Sequence, residues 1–409
     1  MRLFFYYFIA STLFYSCLGG AKPYNFPQAV DTTDKPVNLQ EKKTYSLLDG
    51  TMLVDNQFDG ARLNDFRQIE DGVFEAIILP ENEPINSSPW YAFSLESSIP
   101  RNIELRLSYP TAEHRYPPKL SLDGQNWIPI DSTQYLEQYG DSTGLAVSID
   151  LPSGQKIYIA AQEIISSSDV YQWCNKLAIN SSVVYDTIGQ SLLGRPLPVL
   201  EINEGETKDK PALVFLSRQH PPEVTGFMCF QAFIEELLSD PRADDFFSAY
   251  RVLVFPLINP DGVDLGHWRH NAGGIDLNRD WAYYHQPETR QVADYIVRST
   301  RKGKNQVLLG LDFHSTWYDV YYTMREDQGT SVLPDFKRNW LQAIETELGN
   351  GYQINEKPGV IGRPISARWF FVQFGAEGIT YEIGDNTERD FIDQKGRVSA
   401  RTLMDELLD

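Results

Sequence analysis

An α/β domain preceded by an antiparallel β-sandwich is the fold class this chain predicts, and three observations carry it. At 409 residues it exceeds one ordinary core and suits two domains. From about residue 51 to 161 it reads as strand after strand, with no helix-length periodic segment between. After about Ser166 the texture changes to apolar strands separated by helical stretches.

The chain opens with Arg2 and an apolar run over residues 3–14. That run is shorter than the roughly 20 residues of a membrane span, and it reads as a secretory signal over residues 1–20. Cys17 after Ser16 resembles a bacterial lipoprotein signal, in which this cysteine becomes the lipidated first residue. Ordinary cleavage beside Gly19, Gly20 or Ala21 is the alternative. The expectation is an exported bacterial protein: periplasmic, secreted, or held at the outer membrane by a lipid on Cys17.

The sandwich is assigned to residues 24–165. Segments 74–79, 90–95 and 103–107, then Leu145–Leu151 and Lys156–Ala160, alternate apolar and polar residues as half-buried strands do. Asp123-Gly124, between 119–122 and 127–130, is a hairpin-turn signal. This region holds one histidine, His114, and no cluster resembling a site, which suits an accessory or interaction role.

Residues 166–409 form the α/β part. Strands are expected at 212–216, 252–258, 307–313 and 379–383. The clearest helix, 224–238, carries Phe227, Phe230, Ile234 and Leu237 on one stripe. Ligands in such folds gather at strand ends. Beyond the signal only Cys174 and Cys229 remain, too few for a disulfide framework. Cys229, among Phe227, Met228 and Phe230, reads as a packed thiol, and a single pairing of the two stays open. The net charge of -20 at pH 7 repels a polyphosphate, so a nucleic-acid partner is excluded.

The run Ser217-Arg218-Gln219-His220-Pro221-Pro222-Glu223 leaves an apolar strand and enters a helix. An imidazole and a carboxylate three residues apart on such a turn can grip one metal ion and leave a position open for water. His314, ending the strand before it, is the candidate third ligand, with Asp312 on the same strand face to orient it. His267, His270, His285 and Glu288 form a competing cluster. Arg269, Asn278 and Arg279 stand on loops after a strand, where guanidinium groups can pair with a carboxylate or an oxyanion. Glu382 shares a strand face with Thr380 and sits among apolar neighbours, a costly place for a carboxylate unless it has a partner or exchanges protons.

Over residues 184–409 these motifs, in this order, resemble the M14 zinc carboxypeptidases, and most of all the cytosolic-carboxypeptidase-like branch with its N-terminal β-sandwich. The resemblance implies a mixed-sheet catalytic domain over 166–409 and one Zn2+ held by His220, Glu223 and His314. It further implies Arg269 polarising the scissile carbonyl, Asn278 and Arg279 holding the substrate's terminal carboxylate, Asp276 supporting His220, and Glu382 as general base and then acid. The substrate would be a peptide or protein C-terminus. Two features depart from the digestive members. Pro222 stands where they carry an arginine, and no tyrosine lies between Gln353 and Thr380 to cap the substrate, Tyr352 being the nearest. A related zinc amidohydrolase acting on cell-wall peptides or N-acyl amino acids, and a non-catalytic peptide- or glycan-binding protein, are the rival readings. Arg363 and Arg368 motivate an expected preference for acidic C-terminal residues.

Overall fold

The computed structural model describes residues 20–137, 144–300, 306–349 and 351–408. The expected signal up to residue 19, with Cys17, lies outside the described residues.

Eleven strands come first: β1 (Thr44–Leu47), β2 (Met52–Asp55), β3 (Asp65–Glu70), β4 (Val73–Ile77), β5 (Ala92–Ser97), β6 (Arg101–Ser108), β7 (Lys119–Ser121), β8 (Ile128–Pro129), β9 (Tyr135–Glu137), β10 (Leu145–Leu151) and β11 (Lys156–Ala160). They form one sheet in the order β1-β2-β5-β11-β7-β8 and a second in the order β3-β4-β6-β10-β9. Inward residues of both sheets, among them Phe74, Phe93, Leu105 and Ile159, share one core. Alternation along β6 is clean, with Ile103, Leu105 and Leu107 buried. Among the described residues the pairing departs from a purely antiparallel sandwich at an isolated parallel bridge between Ser97 and Ser153, and where β4 and β6 run parallel with Phe74 beside Leu105. A parallel neighbour needs a crossover, and β5 supplies it by passing through the opposite sheet. At the expected hairpin β7 and β8 are antiparallel. The Asp123 carboxylate accepts the N–H groups of Gln125 and Asn126, each at 2.8 Å, and Gly124 takes a φ of +74°.

Residues ahead of β1 lace across the second half of the chain. Gln28 N–H donates to Gly362 O at 2.9 Å and Lys35 N–H to Gly273 O at 2.8 Å. Phe26 is buried with Trp281 and Trp369.

The α/β part contains β12 (Val183–Gln190), β13 (Pro196–Ile202), β14 (Ala212–Ser217), β15 (Arg251–Phe255), β16 (Val307–Thr316), β17 (Val320–Met324), β18 (Glu356–Gly359) and β19 (Glu377–Gly384). Its α-helices are α1 (Ser167–Leu177), α2 (Val224–Ser239), α3 (Ala243–Ala249), α4 (Pro260–Leu265), α5 (Pro287–Ser299), α6 (Phe336–Leu348), α7 (Ser366–Phe374) and α8 (Arg389–Leu408). The eight strands make one mixed sheet in the order β12-β13-β15-β14-β16-β19-β17-β18. Helices α2, α6 and α8 pack on one face, while α5 and α7 cover the other. Strands β15, β14, β16 and β19 are mutually parallel, so their C-terminal ends open on one edge. Helix α2 buries the expected stripe of Phe227, Phe230, Ile234 and Leu237, and Cys229 and Phe233 as well. It is apolar nearly all round because the sheet lies on one side and α8 on the other. Cys174 and Cys229 are both buried and free, so the open question of their pairing resolves to two packed thiols.

Candidate metal centre and its cavity

At the end of β14 the chain turns through Arg218, which adopts a φ of +55°. Its guanidinium is buried, donates to Ile165 O at 3.2 Å and lies over the Phe227 ring at 5.5 Å. Pro221 and Pro222 then lead into α2, whose N-cap is Glu223. Glu223 makes no capping bond, because its carboxylate faces two imidazoles instead. Glu223 Oε1 lies 2.8 Å from His220 Nδ1, and Oε2 lies 2.6 Å from His314 Nδ1. The two Nδ1 atoms are 3.1 Å apart. Strand register brings these groups together: Ser217 pairs with Phe313, and His314 stands beside Glu382.

The far sides of both rings are fixed by carboxylates. His220 Nε2 is 2.9 Å from Asp276 Oδ1, and His314 Nε2 is 2.7 Å from Asp312 Oδ2. An ionised carboxylate only accepts, so each Nε2 carries the proton and each Nδ1 turns a lone pair inward. Two lone pairs and a carboxylate crowded together repel one another unless a cation lies among them. Burial lowers the His314 pKa, but the flanking Asp312 and Glu223 outweigh it and hold the imidazole well above the ordinary histidine range. Without an ion a second proton, on Nδ1, would answer the demand for positive charge that a metal cation meets when bound. Two imidazole nitrogens and one carboxylate oxygen, all within 4.8 Å of one another, suit zinc with an open fourth position. Among the described residues this is the one such group.

A cavity of about 440 Å³ opens onto this cluster. Glu382 lines it, with Oε2 out of contact with solvent and without a hydrogen-bond partner. The residue keeps some exposure through the cavity mouth, yet the protein around its carboxyl governs ionisation. Burial pushes it up to about 8; Glu223 and Asp312 add repulsion, and His314 and Arg269 oppose it. The field of a divalent cation draws such a group back down. Arg269 reaches the cavity while its Nε donates to Asp276 Oδ2 at 2.8 Å. Asp276 thus ties His220 to Arg269. Asn278 and Arg279 line the same cavity. The Asn278 amide oxygen accepts Ser366 N–H at 2.9 Å, and Arg279 Nη1 donates to Asn278 O at 2.6 Å.

All eight residues named from the motifs therefore meet at one place. The competing histidines disperse. His267 Nδ1 lies 3.1 Å from His270 O, His285 Nδ1 lies 2.9 Å from Thr32 Oγ1, and Glu288 accepts Leu192 N–H at 2.9 Å; among the described residues no three of the four gather as a metal-holding group. Tyr352 packs away from the cavity against Phe391 and Lys395. The tyrosine that lines the cavity is Tyr322, on β17 beside Thr380. Both arginines line the cavity: Arg363 is exposed on its wall, and Arg368 donates to Thr323 O at 2.6 Å and Val360 O at 3.2 Å while its buried Nη1 has no hydrogen-bond partner. Sequence reasoning also missed Gln28, Asn86, Ser88 and Arg115, which form the wall from the first half of the chain. None of them belongs to a motif. Arg115 reads as an ordinary surface arginine until folding pairs it with buried Asp385 at 2.8 Å.

Residues 170–392 match the family model described as zinc carboxypeptidase, more than half of the chain. The chain is 22% identical over 372 residues to an uncharacterized protein of Zymomonas mobilis, covering 84% of this chain and 91% of that protein. It is 21% identical over 341 residues to cytosolic carboxypeptidase 6 of Caenorhabditis elegans, covering 75% and 72%. With cytosolic carboxypeptidase 2 of Danio rerio it shares 40% identity over 98 residues, 22% of this chain and 14% of that one. Among solved structures, a metallo-carboxypeptidase from Burkholderia cenocepacia superposes with a TM-score of 0.72 at 18% identity, over 87% of this chain and 99% of that one. A metallo-carboxypeptidase from Pseudomonas aeruginosa gives 0.68 at 19% identity, over 87% and 99%. At these identities the structures share the fold. The family match and the fold, taken with the His-Glu-His cluster, lead to one conclusion: the chain belongs to the zinc carboxypeptidase family.

Proposed function

We propose that the protein is a zinc-dependent metallocarboxypeptidase that hydrolyses the C-terminal peptide bond of a peptide or protein. His220, Glu223 and His314 would hold the ion through Nδ1, a carboxylate oxygen and Nδ1. A zinc ion there supplies Lewis acidity and lowers the pKa of water from about 15.7 to about 7. Glu382 takes one proton from the attacking water and later delivers it to the departing amine, so a C–O bond forms, the C–N bond breaks and the proton count closes. In this reading Arg269, which lines the cavity, stabilises the negative charge that develops on the carbonyl oxygen. Asn278 and Arg279, which also line the cavity, hold the substrate's terminal carboxylate in the same reading.

The observation that carries this reading is the pair of inward Nδ1 lone pairs facing the Glu223 carboxylate, with both Nε2 protons bound to Asp276 and Asp312. The test is metal content of the purified protein, together with turnover of one peptide carrying a free and an amidated C-terminus. About one zinc per chain and cleavage of the free acid alone are expected. Equal cleavage of both peptides would point instead to the rival amidohydrolase activity, and a metal-free, inert protein to a binding role. Comparing peptides ending in Glu, Lys and Phe tests the acidic preference that Arg363 and Arg368 motivate; equal turnover removes it.

A further inference from the structure

We propose that Glu81, on the sandwich side of the chain, is a positioning residue for Arg269, which makes the β-sandwich a working part of the active site. The inference rests on the role given to Arg269 above and adds the group that holds it. Glu81 is fully buried. Its Oε2 accepts Trp268 N–H at 2.8 Å, and its Oε1 accepts Arg269 N–H at 3.0 Å and His270 N–H at 2.7 Å. Three consecutive peptide donors from one loop thus close on one carboxylate. A buried carboxylate is tolerated only when its lone pairs are satisfied, so the loop and the anion fix each other.

Side chains on either side of Arg269 strengthen the grip. The Trp268 ring is buried in the sandwich core, and its Nε1 donates to Trp90 O at 3.1 Å. His270 Nδ1 lies 2.5 Å from Asn82 Oδ1, while Asn82 Nδ2 donates to Gly274 O at 3.0 Å. Trp268 and His270 turn toward the sandwich, so Arg269 between them turns toward Asp276 and the cavity. The sandwich therefore sets the backbone from which the guanidinium projects. A shift of about 1 Å in such a group costs on the order of 10²-fold in rate.

The experiment compares wild type, Glu81→Gln, Arg269→Ala and the double variant on one peptide substrate. It reads kcat, KM, zinc content and amide hydrogen exchange of residues 268–270, the last in both metal-free and zinc-loaded protein. Glu81→Gln is expected to lower kcat about 10- to 100-fold with KM and zinc content nearly unchanged. The 268–270 amides lose protection in both forms. The double variant is no slower than Arg269→Ala, because Glu81 acts through that arginine. Additive losses, or full kcat in folded Glu81→Gln, overturn the proposal. If Arg269→Ala itself keeps full kcat, the role of Arg269 falls first and takes this proposal with it. Should Glu81→Gln fail to fold, Glu81→Asp retracts the carboxylate while keeping its charge. It is expected to give a smaller kcat loss with the same non-additivity, and full kcat in that variant overturns the proposal.

Discussion

Carboxylates in this site do different work according to what faces them. Asp312 Oδ2 accepts from His314 Nε2 at 2.7 Å and from Gln219 Nε2 at 2.6 Å, and Ser366 Oγ also donates to it. That oxygen is a satisfied acceptor whose task is to hold one tautomer, while Oδ1 has no hydrogen-bond partner. Asp312→Asn leaves a side chain that no longer demands a proton from Nε2, so the Nδ1 lone pair of His314 is no longer fixed inward. Zinc affinity is expected to fall about 10- to 100-fold, read by competition with a chelating dye. Unchanged affinity would mean that His314 is oriented by something else. Glu382 differs in that its unpartnered carboxylate lines the cavity instead of bracing a histidine. Glu382→Gln keeps the shape and removes the proton acceptor, so turnover should drop by about 10²–10⁴-fold while zinc stays bound. Loss of the metal in that variant would make Glu382 a ligand.

Elements bring these residues together by close backbone approach. The first turn of α2 docks on β16 at His314: Gly226 N–H and Thr225 Oγ1 both contact Ser315 Oγ at 2.8 Å. A Cβ on Gly226 would sit 2.3 Å from His314 O, a contact with backbone that no rotamer relieves. Gly226→Ala must therefore push α2 off the strand and carry Glu223 away from His314. A loss of about 1–3 kcal/mol in stability is expected, together with weaker zinc binding. Thermal melts with and without zinc, and the chelator competition, measure both. A variant with wild-type melting and affinity would show that the helix yields without disturbing the ligands. The sequence displays the apolar stripe of α2 and the strand ends, because periodicity and turn chemistry are local. It does not display the register that sets His314 beside Glu382, nor β17, which brings Tyr322 to the cavity. Those depend on pairings between segments far apart in the chain, which no local pattern records.

Across the whole molecule, the two halves share a polar seam rather than a linker. Arg115 pairs with Asp385, Gln162 Nε2 donates to Asp385 O at 3.0 Å, and Arg389 pairs with Glu163. The motifs locate all three candidate metal ligands, His220, Glu223 and His314, in the second half of the chain. They are silent on this seam because its residues, Glu81, Asn82 and Arg115 among them, belong to no motif. The seam also sets how acid affects the fold. His270 lies within it, against Asn82 and with Glu81 at 3.7 Å. Burial pushes its imidazole down to about 4, and the nearby Glu81 and Asp276 carboxylates only partly oppose this. In the unfolded chain the same group titrates near 6.5. A depressed folded value means that the stability is fully present above about pH 6.5 and declines as pH falls toward 4, where the unfolded chain binds a proton that the folded chain refuses. At about 1.4 kcal/mol per pH unit this one group removes on the order of 3 kcal/mol across that window. Denaturant midpoints at pH 7 and pH 4.5 should therefore differ by less in His270→Gln than in wild type, by roughly one proton's worth of slope. An identical pH dependence in the two proteins would place the acid-sensitive group elsewhere and leave the seam indifferent to His270.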